Sequence, residues 1–139
     1  ASQCEACGVP VCAMPSELLG HSENPAAMHA WVRTTCTALA EQGVAMLAIG
    51  RVKAVDSAPL LESRLAQAMT MVLAQVDVAR LLLEGGTTAR TALDRLQWRQ
   101  LQTVALAATD LPALCPTEGV PRVFIKPGSY DWPDSVWPK

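Results

Sequence analysis

Leu61, Leu65, Ala68, Val72, Gln75 or Val76, Ala79 and Leu82 follow one another at intervals of four and three residues. Residues so spaced gather on one face of an α-helix, whereas a strand would divide them between two faces. This apolar seam constrains the fold more than any other feature of the chain. Asp56 or Ser57 suits the cap of such a helix, and Pro59 falls in its first turn, where a missing N–H does no harm. Gly85-Gly86 permits the left-handed turn that stops it. The spacing predicts a helix over 58–84, roughly 40 Å long at 1.5 Å per residue.

Two more helices follow from the same reasoning. Asn24 can accept a hydrogen bond from a first-turn amide, and Pro25 suits the first helical position. Met28, Val32, Thr35 or Cys36, Leu39 and Met46 then recur on one face, widened by Trp31 and Leu47. The pattern predicts a helix over 25–52, with Gly43 inside it at a cost of about 1 kcal/mol relative to Ala. Gly43 marks a kink, a close crossing or an early end. Thr87 caps the third helix, predicted over 88–108, with Leu93, Leu96, Gln100 or Leu101, Val104 and Ala108 on its apolar face. Arg90 and Asp94, four apart, can pair on its surface. Twenty-two Ala and 17 Leu in 139 residues agree with helices, because both lose little entropy there. The expected fold is all-α: three long antiparallel helices in an up-down-up bundle, forming a single helical domain over 1–139.

The two ends differ from this body. Residues 1–23 form a cysteine-rich arm interrupted by Gly8, Pro10, Pro15 and Gly20, with room for a helical turn over 16–20. Residues 109–139 carry six prolines, which forbid a long helix, and Val123-Phe124-Ile125 reads as a short extended segment. The tail therefore reads as an extended Pro/Trp-rich strap packed on the bundle. Phe124, Tyr130, Trp132 and Trp137 make it a candidate partner-binding surface, since aromatics are enriched at binding hot spots. The same rings would equally serve to cover the protein's own small core.

Five cysteines carry most of the chemistry available: Cys4, Cys7, Cys12, Cys36 and Cys115. All five are disulfide candidates, and a Cys36–Cys115 bridge would tie the tail to the bundle. Such bridges persist outside the cytosol. The start at Ala1-Ser2-Gln3, without Met, reads as a cleaved signal peptide or a trimmed start. Together these point to a periplasmic or secreted protein. The alternative is a metal site on Cys4, Cys7 and Cys12, completed by Cys36 or His21, because Cys-x-x-Cys can grip one ion and structural zinc takes four ligands. Zinc fits better than copper, since Met28, Met46, Met69 and Met71 fall where Met is ordinary core filler. A thiol redox role is the third option, although no strand precedes the motif.

Other features exclude more than they assign. Net charge is −2 and the 11 Lys and Arg are scattered, which argues against a nucleic-acid partner. The longest stretch free of charge, 65–76, is too short for a transmembrane helix, which needs ~20 residues. His29 and Cys36 lie seven apart, about 10.5 Å along a helix axis, too far to act as base and nucleophile. Gly85-Gly86-Thr87-Thr88 offers amides to an anion. It lacks the lysine of a phosphate loop and a strand before it, so a helix stop followed by a cap explains it more simply. The chain thus reads as an exported, non-enzymatic protein-binding protein without a cofactor: an inhibitor or immunity protein, or an envelope-complex assembly factor. Its partner would be another protein or a second copy, because the apolar content exceeds what three helices must bury.

Overall fold

Gly43 decides the first departure from a helical bundle. In the computed structural model, which describes residues 8–50, 58–104, 112–116, 121–128, 130–133 and 135, Gly43 takes φ 71° and ends helix α1 (Pro25–Gln42). Its N–H donates to the Leu39 carbonyl at 2.9 Å. A residue with a Cβ pays a steric penalty in this left-handed region, and glycine does not. Of the three roles open to Gly43, the early end is the one it plays. The start of α1 is as expected: the Asn24 side chain accepts from the Ala27 N–H at 3.0 Å, with Pro25 in the first turn.

The residues beyond Gly43 leave the helix for a sheet. Met46–Ala48 form β2, which runs parallel to β1 (Val11–Ala13), with Val11 opposite Met46. Parallel strands need a crossover between them, and α1 supplies it. The seam helix α2 covers Ala58–Leu73 only. Leu81, Leu82 and Leu83, the continuation of the predicted seam, lie in strand β3 (Arg80–Glu84). The third helix, α3, covers Gly86–Arg95, and Leu101–Val104 form β4. Strands β5 (Ala113–Pro116) and β6 (Arg122–Lys126) complete the set. The expected all-α bundle is therefore incorrect. The protein is α/β, with three helices and two sheets among the described residues. Each predicted helix is a shorter helix followed by a strand. A short apolar run such as 81–83 fits a buried parallel strand as well as a helical face, so periodicity alone cannot separate them.

The chain divides into two compact units, 1–76 and 77–139. In the first, Cys12, Met14, Leu18, Met28, Trp31, Val32, Leu61, Ala68 and Val72 form the core. Trp31 donates from its indole nitrogen to the Cys12 carbonyl at 2.9 Å, joining α1 to β1. The expected turn after Pro15 is a short 3-10 helix over Ser16–Leu18. Arg64 of α2 is buried and donates to the carbonyls of Leu18 (2.5 Å), Gly20 and Ser22 (2.8 Å). One guanidinium thus satisfies a run of turn carbonyls that burial would otherwise strand.

The second unit is a mixed sheet in the order β3-β6-β5-β4. β3 and β6 are parallel, and the other two pairs are antiparallel. The segment read as a strap contributes an interior strand: Val123 and Phe124 of β6 are almost fully buried, and Phe124 packs with Ala113, Trp132, Leu82 and Val104. Helix α3 ends without a glycine. Gln97 takes φ 58° instead, with Gln97 N–H donating to Asp94 O and Trp98 N–H to Leu93 O, both at 3.1 Å. This is the double hydrogen bond of a Schellman closure. A glutamine in the glycine position leaves no composition signal, which is why the helix was read through to 108.

Candidate anion-binding site

Glycine placement and strand pairing build one polar site in the second unit. β3 ends at Glu84, and Gly85 follows with φ 91° and ψ 134°, a region that essentially only glycine occupies. This sharp turn sends the chain from the strand directly into α3. Gly85 N–H donates to the Lys126 carbonyl at 2.9 Å, so the turn is anchored to the end of the neighbouring parallel strand. Among the described residues no side chain caps α3. The amides of Gly86, Thr87 and Thr88 lie ahead of the first intrahelical bond, from Ala89 N–H to Gly85 O at 2.9 Å. First-turn amides and the helix dipole together favour an anion at this point.

One of the two sequence objections to an anion site at Gly85-Gly86 does not hold in the structure, because a strand does precede the glycines. The lysine nearest in the sheet, Lys126, directs its ammonium to other partners. Lys126 pairs in register with Glu84 across the two parallel strands. Its ammonium lies 3.4 Å from a Glu84 carboxylate oxygen and 5.4 Å from the centre of the Trp132 ring. It also donates to the carbonyls of Pro127 (3.2 Å) and Tyr130. The Trp132 indole N–H donates to the same Glu84 oxygen at 3.3 Å. The lysine side chain is 4% exposed and the glutamate 42%, so the cation is enclosed and its counter-charge faces water.

A shallow open depression runs alongside α3 from this end, lined by Gly86, Arg90, Leu93, Trp98, Arg99 and Ile125. Asp94 also lines it and pairs with Arg90 at 3.8 Å, as the spacing of the two predicts. Both side chains are largely exposed, so the pair adds little to stability. The depression offers two guanidiniums and an indole next to an apolar floor. Ten helical residues span about 15 Å, enough for one small molecule laid along the helix.

Among the described residues the cysteines are not grouped together. Cys12 is buried in the core of the first unit, Cys36 is half-buried on α1, and Cys115 lies in β5 of the second unit. None of the three forms a disulfide, which corrects the expectation of a bridged framework for them. Cys12 packs as a small hydrophobe, and Cys36 and Cys115 belong to different units. Cys4 and Cys7 lie outside the described residues. Burial pushes the Cys36 thiol above its usual value of 9.0. Among the described residues no three His, Cys, Asp or Glu side chains are grouped to hold a metal, and His21 is exposed. In the aromatic tail, Phe124 and Trp132 face the unit's own core, Tyr130 is 67% exposed, and Trp137 lies outside the described residues. No helix among the described residues is long and apolar enough to cross a membrane.

No protein-family model and no curated protein sequence matches the chain. Solved structures do. A Haemophilus influenzae protein described as DUF1537 superposes with a TM-score of 0.74 at 19% identity, covering 96% of this chain and 35% of its own. A Bordetella bronchiseptica DUF1537 domain, described as a domain-swapped dimer with bound citrate, gives 0.67 at 23% identity, covering 97% and 35%. The chain spans about a third of the length of these structures. At such identities the likeness is one of fold, and this chain shares the α/β fold of DUF1537 structures.

Proposed function

We propose that the second unit binds a phosphorylated small molecule, with a nucleotide as the class that uses the whole site. One observation carries this reading: helix α3 opens directly behind a parallel strand, through Gly85, with no side-chain cap on its first turn among the described residues. A strand, a glycine turn and an open helix start form the arrangement that cradles phosphates in α/β proteins. The depression beside α3 supports the choice of class. Its guanidiniums suit further negative charge, and Trp98 with Leu93 and Ile125 suits a flat apolar ring. The citrate described for the Bordetella neighbour is also a compact polyanion, and supports the reading at the level of charge. Calorimetric titration with ADP, pyrophosphate and adenosine tests it. ADP is expected to bind most tightly, pyrophosphate more weakly and adenosine weakest. Absence of binding by all three at millimolar concentration would overturn it.

A second reading keeps the protein-binding role expected from the sequence, with another copy of the chain as the partner. Tyr130, a large exposed ring, favours it, and so does the description of the Bordetella neighbour as a domain-swapped dimer. Light scattering after gel filtration tests it: a dimer mass across a dilution series supports the reading, and a monomer mass at every concentration contradicts it.

A further inference from the structure

We propose that Gln97 is a positioning residue: its left-handed backbone folds Trp98 and Arg99 back along α3 and so builds a seat for the ligand's aromatic ring in the depression beside that helix. The proposal rests on the nucleotide reading above and requires no particular place for the phosphates. Gly86, Arg90 and Leu93 line the depression as one stripe of α3. A helix continued past Arg95 would carry Trp98 about 140° around the axis from Leu93, and Arg99 about 180° from Arg90, at 3.6 residues per turn. Both would then face away from that stripe. The closure at Gln97 reverses this. Gln97 N–H donates to Asp94 O and Trp98 N–H to Leu93 O, both at 3.1 Å, and Arg99 N–H donates to Gln97 O at 3.0 Å. Trp98 and Arg99 thereby join Arg90, Leu93 and Ile125 around the depression.

The closure is held against steric strain. Gln97 takes φ 58° and is the only non-glycine residue with positive φ among the described residues. A Cβ is penalised in this region, and glycine is not. The Gln97 residue is exposed, so burial of its side chain does not offset the strain. Strained backbone of this kind clusters at ligand-binding sites. What the turn presents is the half-buried Trp98. An indole stacks on any flat aromatic ring, and the neighbouring guanidinium of Arg99 adds a cation for the same ring. The seat therefore favours ligands that carry an aromatic ring over bare polyphosphates.

Calorimetric titration of the full chain with ADP and with pyrophosphate tests the seat, with circular dichroism to check that each variant is folded. Trp98→Leu keeps an apolar side chain and removes the flat ring. Its ADP affinity should fall about ten-fold, as expected for loss of one base–aromatic stack, while pyrophosphate affinity stays the same. Gln97→Val puts a β-branched residue where the left-handed region tolerates it least. ADP affinity should fall about five-fold, toward the low end of the same stacking range, again without change for pyrophosphate. Gln97→Gly keeps the turn, so ADP affinity is retained and the melting temperature rises. Equal affinity of the unmodified chain for ADP and pyrophosphate, or ADP binding untouched by Trp98→Leu, would overturn the seat and leave the anion-binding reading standing. A Gln97→Val variant that melts lower yet binds ADP as before, or that loses ADP and pyrophosphate alike, would overturn the positioning role. Binding of neither ligand would overturn both readings.

Discussion

Helices α1 and α3 begin differently. α1 starts with Asn24, whose side chain closes the first turn on the Ala27 amide, and Pro25 removes one further donor. α3 starts with Gly85, which has no side chain to give, and its first-turn amides receive no side-chain cap among the described residues. Both helices must satisfy the same orphan donors. In α1 the sequence supplies the acceptor locally. In α3 glycine supplies conformation instead, and no side-chain acceptor comes from the cap residue itself. The contrast separates a helix start that serves stability from one available for binding.

The largest expected effect breaks this contrast from the α3 side. Gly86 has open space where a Cβ would stand, so Gly86→Asp should fold and place a carboxylate among the open amides. Pyrophosphate affinity should fall at least ten-fold, about 1.4 kcal/mol, as read by calorimetry. The melting temperature should hold or rise, because an acid in the first turn stabilises a helix by about 0.3–1 kcal/mol. A variant that binds normally would show that the anion, if any, sits elsewhere.

Gly85→Ala tests the conformation rather than the charge. The nearest atom to a new Cβ is the Thr88 hydroxyl oxygen at 3.7 Å, an ordinary contact, so the cost arises in the backbone at φ 91°. About 1–3 kcal/mol of destabilisation is expected in denaturant unfolding. Asn24→Ala is the counterpart at α1. It should cost about 1 kcal/mol and leave pyrophosphate binding unchanged. Loss of binding in that variant would erase the distinction between the two helix starts.

Smaller effects sharpen the picture. Arg90→Ala removes only an exposed ion pair, so unfolding should not change measurably, while the salt dependence of anion binding becomes shallower. Cys36, with its thiol pushed up by burial, should alkylate more slowly at pH 8 than a solvated thiol. The folded state holds this proton more tightly than the unfolded chain. Its contribution to stability is therefore present below the ordinary thiol value of 9.0 and lost as pH rises through the higher folded value. A Cys36→Ala variant should show less of that alkaline loss.

Much of the local structure was legible where one residue decides it. Asn24-Pro25 marks the start of α1, and the seam from Leu61 to Val72 marks α2. Val123-Phe124-Ile125 reads as extended and forms β6. The strands that follow the helices were not legible, because Met46–Ala48 and Leu81–Leu83 continue the helical spacing by chance of a short apolar run. Gln97 hid the end of α3 by doing the work of a glycine. The candidate site failed for the same reason. Once 58–84 is taken as helix, Gly85-Gly86 can only be its stop. Lys126 becomes visible beside Glu84 only when β3 and β6 pair, a contact between residues far apart in the chain that no local pattern encodes.

The most direct measurement is a two-dimensional amide spectrum of the full chain titrated with pyrophosphate, comparing the Gly86 and Thr87 resonances with that of Ala27. The open-helix account predicts that Gly86 and Thr87 move and saturate together while Ala27, already bonded to Asn24, stays in place. Resonances that never move at millimolar pyrophosphate, or an Ala27 shift as large as that of Gly86, would contradict it.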